Sequence, residues 1–560
     1  MVLSNTTLGM LAAAINSSIL LISLPAVFRG IGLKALDPGN INYLLWAIIG
    51  YMIATAVLVV AFGRLGDQFG RARMYNLGFA IFTIASIALG LLPGQGDFAA
   101  MYLVGVRIVQ GVGGALLMAN STALLTDAFP VEERGFALGI NVVAAIGGQF
   151  LGLLIGGLLA DTNWRLVFWI NVPFGLAGTV WAYWKLRDAP DRKKHTIDWI
   201  GNISFGLGLV LILTAITYGL QPYGDQTMAW ASPRVLILFA VGILSLIAFV
   251  VVEQRVAKPM LDLRLFRIPA FAYGNVANLV SGIARGGLQF MLIVWLQGIW
   301  LPLHGYSFEQ TPLWSAIFML PLTVGFLIAG PVSGYLSDRF GGVPFAVGGM
   351  LAGAASFIAL MALPADFSYG GFAALLFLNG LGSGLFVAPN STQIMNSVPA
   401  GERGQASGMR ATTTNVGQVL SIGLFFSLML LGLAESLPQA METGLLAQHV
   451  PAAIAHQVAN LPPVSSLFAA FLGYNPMGEL IPADVLAALP AQSAATLTGN
   501  TFFPGLMSGP FKHGLVFAFT FSAILYIVAA VTSWLGGDHV EDAASAVADP
   551  EANGYAASRT

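Results

Sequence analysis

The segment Gly63-Arg-Leu-Gly-Asp-Gln-Phe-Gly70 recurs 271 positions later as Gly334-Tyr-Leu-Ser-Asp-Arg-Phe-Gly341. A second pair of segments repeats at nearly the same offset. Pro130-Val-Glu-Glu-Arg-Gly-Phe-Ala-Leu-Gly139 returns as Pro399-Ala-Gly-Glu-Arg-Gly-Gln-Ala-Ser-Gly408, with its arginine 269 positions further on. Because two unrelated motifs share almost one offset, the sequence indicates a duplicated unit.

The composition places most of the chain in lipid. Of 560 residues, 57% are hydrophobic and only 9% are charged, whereas soluble proteins carry about 25% charged residues. This excludes an ordinary cytosolic enzyme and a disordered scaffold. The net charge of −2 provides no field for a nucleic-acid partner. With no cysteine, disulfides and thiolate metal sites are excluded.

Apolar runs predict the number of membrane spans. A bilayer core requires about 20 apolar residues in a helix. Fourteen such runs occur, and the first is too long for a signal-peptide core, so we interpret it as a retained span. The predicted spans are 8–28, 43–63, 74–92, 98–120, 137–160, 166–184, 201–220, 233–252, 271–297, 312–335, 343–363, 370–390, 406–433 and 513–536.

The basic residues predict the orientation. With a cytoplasmic N-terminus, 17 of the 24 Lys and Arg residues fall in cytoplasmic loops and the tail, Arg410 among them, and five fall outside. Arg107 and Arg285 fall within spans. We therefore expect a multi-pass protein of the cell membrane with both termini in the cytoplasm.

The repeat predicts an all-α polytopic membrane protein with two six-helix halves. They cover 1–185 and 269–536, and an inserted two-helix hairpin with flanking cytoplasmic loops covers 186–268. Eight spans separate the repeated loops, so the halves form a parallel repeat about an axis along the membrane normal. The stretch 434–512 lies outside and is expected to form short surface helices. The acidic tail, 537–560, is expected to be disordered and cytoplasmic.

The loop motifs resemble those of the major facilitator superfamily. Its signature between spans 2 and 3 is matched by Gly63, Leu65, Asp67, Gly70 and Arg71, although Gln68 replaces a basic residue. The chain also resembles the fourteen-span drug:proton antiporter family. The resemblance lies in the number of spans and in the segments Trp164–Pro173, Asp198–Gly201 and Leu263–Arg267. The resemblance implies the major facilitator fold, multidrug efflux by alternating access and no cofactor.

The repeated loop is interpreted as a conformational latch. Gly63 and Gly70 are expected to permit close helix approach and a tight turn, while Asp67 caps the next helix and pairs with Arg71. In the family such a network holds the cytoplasmic side closed. The alternative is that these charges only mark topology. The predicted latch consists of Gly63, Asp67, Gly70, Arg71, Arg73, Asp127, Asp338 and Arg339.

Spans 4 and 5 carry further motifs. Arg107 and Gln110 lie on one helix face and resemble the family's Arg-x-x-Gln-Gly motif. A charge inside the bilayer costs several kcal/mol, so Arg107 should face a cavity, or alternatively lock helices by binding carbonyl groups. Small residues in span 5 predict close helix packing. They are Gly148, Gly152, Gly156 and Gly157, and Leu153 replaces the proline of the antiporter motif that they resemble.

Span 1 departs from the family pattern at Asn16, which replaces an aspartate that typically titrates or binds cations. No carboxylate lies near the middle of a predicted span, so proton coupling lacks its usual residue. Arg285 and Arg107 together would favour anionic, zwitterionic or polar neutral substrates; alternatively Arg285 snorkels to the membrane surface. The predicted substrate cavity consists of Asn16, Arg107, Gln110, Gln149, Arg285, Gln289 and Asn379.

The leading functional hypothesis is export of small amphipathic compounds by proton antiport. The main alternative is an exporter or facilitator of a lipid-like, anionic or polar metabolite that is not coupled through span 1. A membrane enzyme using His449 and His456, or a receptor, is a remote alternative. No nucleotide-binding loop or zinc motif is present in the sequence. The expected partners are a small-molecule substrate, protons and membrane lipids, and the expected state is a monomer.

Overall fold

The computed structural model describes residues 1–33, 36–37, 39–186, 198–221, 223–224, 228–256, 259, 261–399 and 402–548. The side chains of some helical residues lie outside this description, including those of Arg134, Asp161, Asp338 and Arg403 and all from 538 onward.

Fourteen helices in the described part are long and apolar enough to cross a membrane, which confirms the predicted number of spans. We label them α1 to α14. They are α1 Val2–Gly30, α2 Asn40–Phe69, α3 Arg71–Gly90, α4 Gly96–Ala128, α5 Val131–Thr162, α6 Leu166–Lys185, α7 Trp199–Gly219, α8 Pro233–Arg255, α9 Pro269–Leu303, α10 (Thr311–Phe318 and Leu320–Phe340), α11 Val343–Ala362, α12 Tyr369–Asn396, α13 Arg403–Ala447 and α14 Phe502–Ala548.

The two halves repeat the same close helix contacts, as the sequence repeat predicts. A Cβ atom on Gly113 of α4 would lie 2.9 Å from the carbonyl oxygen of Gly78 in α3. In the second half, a Cβ atom on Gly382 of α12 would lie 2.5 Å from the carbonyl oxygen of Gly349 in α11. Glycine thus allows the corresponding backbones to touch in both halves.

A side-chain hydrogen bond is repeated beside these glycines. Gln110 of α4 donates to Ser86 Oγ of α3 at 2.9 Å, and Asn379 of α12 donates to Ser356 Oγ of α11 at 2.7 Å. The repeat therefore extends from the loop motifs into the buried polar contacts.

The inserted hairpin, α7 and α8, lies where the two halves meet. A Cβ atom on Gly206 of α7 would lie 2.9 Å from Val57 of α2, and one on Gly423 of α13 would lie 2.8 Å from Ile216 of α7. The outer face of α8 exposes Leu236, Ile237, Leu244 and other aliphatic side chains. Such a surface is typical of a helix that faces lipid or another protein.

Residues after α13 form short helices rather than further spans, as predicted. They are Ala452–Ala459, Pro463–Phe471, Met477–Leu480, Ala483–Ala488 and Ala491–Thr498. The expectation that all lie on the surface is wrong for Pro463–Phe471, which we call the loop helix. Every residue of the loop helix is buried, because its apolar side chains pack between the two halves.

The predicted start of the tail, residue 537, falls inside α14, which continues to Ala548. Residues 549–560 lie outside the described part of the chain. Helix α6 ends at Lys185 and α9 begins at Pro269; the division of the chain into domains at 185 and 269 stays a prediction.

Candidate functional site

Arg107 belongs to a buried polar network in the first half. The side chain is 1% exposed, and its guanidinium lies 4.6 Å from the ring centre of Tyr51. Its Nε donates to the carbonyl oxygen of Ala47 at 3.2 Å, and its Nη1 donates to Gln110 Oε1 at 2.7 Å. Gln110 in turn binds Ser86. These contacts tie α4 to α2 and α3, so the geometry favours helix locking by Arg107.

Asn16 joins the same network from α1. It is fully buried, and Asn171 of α6 donates to its Oδ1 at 3.2 Å. The hydroxyl of Tyr51 lies beside the Asn16 side chain, and the Tyr51 ring carries Arg107. The amide therefore lies next to the locked arginine, where a carboxylate would introduce a charge.

A second polar site lies inside the other half. Arg285 of α9 and Arg410 of α13 line a cavity of about 50 Å³. Ser383 and Tyr526 also line it, and their hydroxyl oxygens are 3.0 Å apart. Asn278 lies at its edge and donates to the carbonyl oxygen of Arg410 at 3.0 Å.

Arg410 was counted with the cytoplasmic loops, although the predicted span 406–433 contains it, and the structure corrects that count. Helix α13 begins at Arg403, so Arg410 lies about two turns inside the helix. The expected partner of Arg285 in a positively charged cavity was Arg107. The structure instead places Arg107 in the network of the first half and Arg410 beside Arg285.

The other predicted cavity residues are dispersed. Gln289 lies one turn after Arg285 on α9 and is half-buried. Asn379 is fully buried and bound to Ser356, and Gln149 is exposed on α5. The structure therefore groups Asn16, Arg107 and Gln110 at one site and Arg285 at another, and brings neither Asn379 nor Gln149 to them.

The predicted charge triad is formed in the first half. Arg71 Nη2 lies 2.6 Å from Asp67 Oδ1, and Arg71 Nη1 lies 2.6 Å from Asp127 Oδ1. The same guanidinium donates to the carbonyl oxygen of Ala123 at 3.2 Å. Arg71 therefore links the start of α3 to the ends of α2 and α4, while Arg73 is exposed on α3.

Two details of the latch differ from expectation. Gly70 has a φ of 110° and makes the tight turn, but no side chain of the described residues, Asp67 included, caps α3 there. A Cβ atom on Gly63 would meet nothing within 4 Å, whereas one on Gly66 would collide with the Asn120 side chain. Close approach of α2 and α4 thus requires Gly66, which the sequence analysis did not select.

The second copy of the latch motif is different. Gly341 repeats the positive φ of Gly70, with a value of 80°. Arg339 is exposed, and its guanidinium lies 4.8 Å from the ring centre of Tyr335. At the stated offsets, Gly342 and Asn396 occupy the positions of Arg71 and Asp127. The side chain of the predicted latch residue Asp338 lies outside the described residues.

The small residues of α5 pack along α1. Cβ atoms on Gly148, Gly152 and Gly156 would lie 2.9, 2.5 and 2.7 Å from carbonyl oxygens of α1 that are spaced one turn apart, those of Leu11, Ile15 and Ile19. Gly157 points to the other half: its Cβ atom would lie 2.7 Å from Leu313 Cα in α10. One glycine motif therefore serves contacts within a half and between halves.

Further contacts join the halves near their predicted outer ends. Gln297 of α9 donates to the carbonyl oxygen of Ile22 in α1 at 3.2 Å and to Ser315 Oγ at 3.0 Å. Gln297 lies in a π-helical turn, Leu296–Trp300, a distortion that occurs often at functional sites.

The loop helix packs against both halves. The ring centre of Phe468 lies 5.9 Å from that of Phe28 in α1, and the ring centre of Phe471 lies 5.7 Å from that of Phe290 in α9. A Cβ atom on Gly298 would lie 2.8 Å from the carbonyl oxygen of Ala470. The loop helix therefore fills the space between α1 and α9.

The hairpin contains a pair of buried carboxylates that was not predicted from the sequence. Asp198, the N-cap of α7, is 7% exposed, and Glu253 of α8 is 3% exposed. One oxygen of Asp198 accepts from the Gly201 amide at 2.8 Å, and one of Glu253 accepts from the Leu261 amide at 3.1 Å. For the other two oxygens, Asp198 Oδ2 and Glu253 Oε1, the described part of the chain offers no hydrogen-bond partner.

These two oxygens face one another across Gly201. A Cβ atom there would collide with Asp198 Oδ2 and would lie 2.6 Å from Glu253 Oε1. The Arg64 guanidinium lies near both carboxyl groups and near Asp67. The predicted span 233–252 ends one residue before Glu253, and its burial depends on packing that the sequence does not show.

Asp262 is a third buried carboxylate, in the loop before α9, and it has a close cation. Arg264 Nη2 lies 2.8 Å from Asp262 Oδ2. The hydrogen bonds from Arg264 hold the pKa of Asp262 below its usual value. In contrast to the pair in the hairpin, Asp262 is stabilised as an anion.

Two parallel six-helix halves with polar interiors, crossing the membrane together with an inserted hairpin, define a multi-pass membrane transporter of the major facilitator type. The Major Facilitator Superfamily model matches residues 6–422, and the chain belongs to this family. It is therefore a transporter and not an enzyme.

Similar proteins include exporters of antibiotics and drugs. The chain is 30% identical to the tetracenomycin C resistance and export protein of Streptomyces glaucescens, over 94% of this chain and 89% of that protein. It is 27% identical to the multidrug resistance protein Stp of Mycobacterium tuberculosis, over 81% of each chain. Among solved structures, a bacterial homologue of the lysosomal transporter Spinster, in an inward-facing and unoccupied conformation, shares the fold. Its TM-score is 0.55, with 15% identity and coverage of 95% of this chain and 96% of the other.

Proposed function

We propose that this protein exports small amphipathic compounds across the cell membrane by alternating access, in exchange for protons. The observation that carries the proposal is the similarity over 94% of the chain to an antibiotic export protein. The proposed orientation places both termini in the cytoplasm, as the distribution of basic residues favours. The proposed functional unit is a monomer, because each chain contains both halves.

The contacts between the halves support an alternating-access mechanism. Three contacts join the halves near the predicted outer ends: that of Gly157 with Leu313, that of Gln297 with Ile22, and the packing of the loop helix. An arrangement closed on that side must break these contacts before substrate leaves outward. Backbone-to-backbone contact through glycine involves no charged group, so it can separate without exposing an unpaired charge.

The Arg71 triad is proposed to stabilise one arrangement of the first half. Its two ion pairs join α2, α3 and α4 at the predicted cytoplasmic ends. The three side chains are between about a quarter and a half exposed, so their contribution to folding is small. Their proposed importance lies in the balance between conformations.

Asp198 and Glu253 are the proposed proton carriers. Two carboxylates that face each other in a buried site repel unless one of them binds a proton. The unpartnered oxygens of the two residues are satisfied by one shared proton. Arg64, which lies near the pair and near Asp67, connects the pair to the latch.

The alternative is transport of a polar or anionic metabolite without proton coupling through α1. Asn16 favours this alternative, because its buried amide side chain neither takes up nor releases a proton at neutral pH. Both the alternative and the main proposal predict export. They differ because only the main proposal predicts that the transport rate depends on a pH gradient.

Efflux from cells tests the proposal. Bacteria without their major efflux pumps, expressing the protein, are loaded with ethidium, and dye loss is followed after glucose is added. We expect faster loss than in cells expressing the double variant Asp198→Asn, Glu253→Gln, and loss of the difference after a protonophore. The experiment is repeated with a neutral dye and with an anionic dye. If cells with and without the protein lose all three dyes at equal rates, the proposal is overturned.

A further inference from the structure

We propose that the cavity between Arg285 and Arg410 is a binding subsite for an anionic group, such as a carboxylate or sulfonate, on a transported compound. The inference rests on the proposed export function and specifies a substrate class for it. The two arginines come from different helices, α9 and α13, and line one partly open cavity of about 50 Å³, a volume that suits a small charged group rather than a whole drug molecule.

The charge of this cavity has no counterpart in its own lining. Among the residues that the structure describes, no carboxylate lines the cavity and none forms an ion pair with either arginine. The Arg285 guanidinium lies 5.5 Å from the ring centre of Phe326. Two cations that line one cavity within the helix bundle repel each other, and an anion between them relieves that repulsion. Guanidinium groups bind carboxylates and related oxyanions through paired hydrogen bonds.

Hydroxyl donors lie beside the arginines. Ser383 and Tyr526 are hydrogen-bonded to each other, and since only one of them donates in that bond, the other can donate to a ligand. The amide nitrogen of Asn278 is already used, because it binds the Arg410 carbonyl group and Thr414 Oγ1 at 2.8 Å. Asn278 thus positions α13 against α9, and the arginines and one hydroxyl remain for the anion.

The remainder of the lining fits an amphipathic compound. Met350, Phe386 and Val387 form an apolar wall of the same cavity. An anionic group at the arginines would place the adjacent apolar part of a ligand against this wall. A free inorganic anion would use the same arginines and would gain nothing from these side chains, so the two sources of anion can be separated by experiment.

Binding measurements on the purified full-length protein test the subsite. Fluorescence anisotropy follows the binding of carboxyfluorescein, an anionic dye, and of ethidium, a cationic dye. The variants are Arg285→Gln, Arg410→Gln, their combination and Arg410→Lys. The control is Arg234→Gln on α8, whose guanidinium stacks on Tyr218 at 3.8 Å, away from this cavity.

We expect each Gln variant to weaken carboxyfluorescein binding roughly tenfold relative to ethidium binding, as loss of charged hydrogen bonds implies. Arg410→Lys should retain part of the affinity, and Arg234→Gln should retain all of it. Sodium sulfate should compete with the dye. An unchanged ratio of the two affinities in the double variant would overturn the subsite, as would an equal loss of both dyes.

Further outcomes distinguish an inorganic anion from an anionic group of a transported compound, and failure of the subsite from failure of the proposed export function. If sulfate raises the melting temperature through the arginines while carboxyfluorescein neither binds nor is transported, the cavity is an inorganic-anion site and the substrate assignment is wrong. If ethidium is exported but the ratio of affinities does not change, the subsite fails and the export function stands. If no dye of any charge is transported, the proposed function itself fails.

Discussion

Gly157 of α5 and Leu313 of α10 bring the backbones of the two halves into contact: a Cβ atom on Gly157 would lie 2.7 Å from Leu313 Cα. This separation is far below a normal van der Waals distance, so no other residue fits at position 157 without moving the halves apart. The same helix uses Gly148, Gly152 and Gly156 against α1. The contact between Gly157 and Leu313 is therefore the most direct measure of closure at the predicted outer end.

Replacement of Gly157 by valine should impair transport. The added side chain prevents the halves from closing at this point, and we expect ethidium export to fall by at least about tenfold with normal membrane insertion. The matched control is Gly147→Val on the same helix, where a Cβ atom would meet nothing within 4 Å. Equal export by the two variants would show that the contact has no role in the transport cycle.

Disruption of the Arg71 triad should abolish export with little loss of stability. Arg71→Gln and Asp127→Asn each remove partly exposed ion pairs, which contribute about 0–1 kcal/mol to folding. Transport rate and melting temperature are measured for each variant. Arg255→Gln, an exposed arginine at the end of α8, is the control. Normal export by both triad variants would contradict the latch.

Replacement of Arg107 by leucine should destabilise the protein. The change removes the arginine donor to the buried Gln110 Oε1 and the additional hydrogen bond to the Ala47 carbonyl group, at a cost of about 1–3 kcal/mol. We expect a lower melting temperature and a similar loss of transport for dyes of every charge. A normal melting temperature with altered preference between cationic and anionic dyes would instead assign Arg107 to substrate binding.

Linking the loop helix to α1 should arrest transport. The chain contains no cysteine, so Phe28→Cys and Phe468→Cys, whose native rings are 5.9 Å apart, can be joined by a short bis-methanethiosulfonate reagent, which attaches through disulfide bonds that a reductant cleaves. If the loop helix must leave this position for outward opening, the bridged protein is inactive and a reductant restores export. Phe468→Cys alone, treated in the same way, controls for modification. Full activity of the bridged protein would show that the loop helix stays in place throughout transport.

Much of the fold follows from features that the sequence shows directly. Long apolar runs predict each span, because helices in lipid must satisfy their own backbone groups. The offset between Gly63–Gly70 and Gly334–Gly341 predicts the parallel repeat. The triad of Asp67, Arg71 and Asp127 was also predictable, because it lies at helix ends next to a glycine turn.

The sites inside the bundle were harder to predict. Arg410 is close to a predicted span boundary, and a shift of a few residues decides whether its charge belongs to a loop or to the cavity with Arg285. The burial of Glu253 depends on Asp198, which is 55 residues earlier in the chain. Likewise, the apolar composition of Pro463–Phe471 indicates that its side chains are buried, but it does not indicate which helices they pack against.

Proton release during export tests the central claim most directly. The purified protein is reconstituted in liposomes that contain a pH-sensitive dye and have an acidic interior, and ethidium or carboxyfluorescein is added outside. Exchange of substrate for protons predicts that ethidium or carboxyfluorescein accumulates inside the liposomes while their interior becomes less acidic. Both signals should disappear in the Asp198→Asn, Glu253→Gln variant. Accumulation of the transported compound at the same rate without a pH gradient, or with no change of internal pH, would contradict the account.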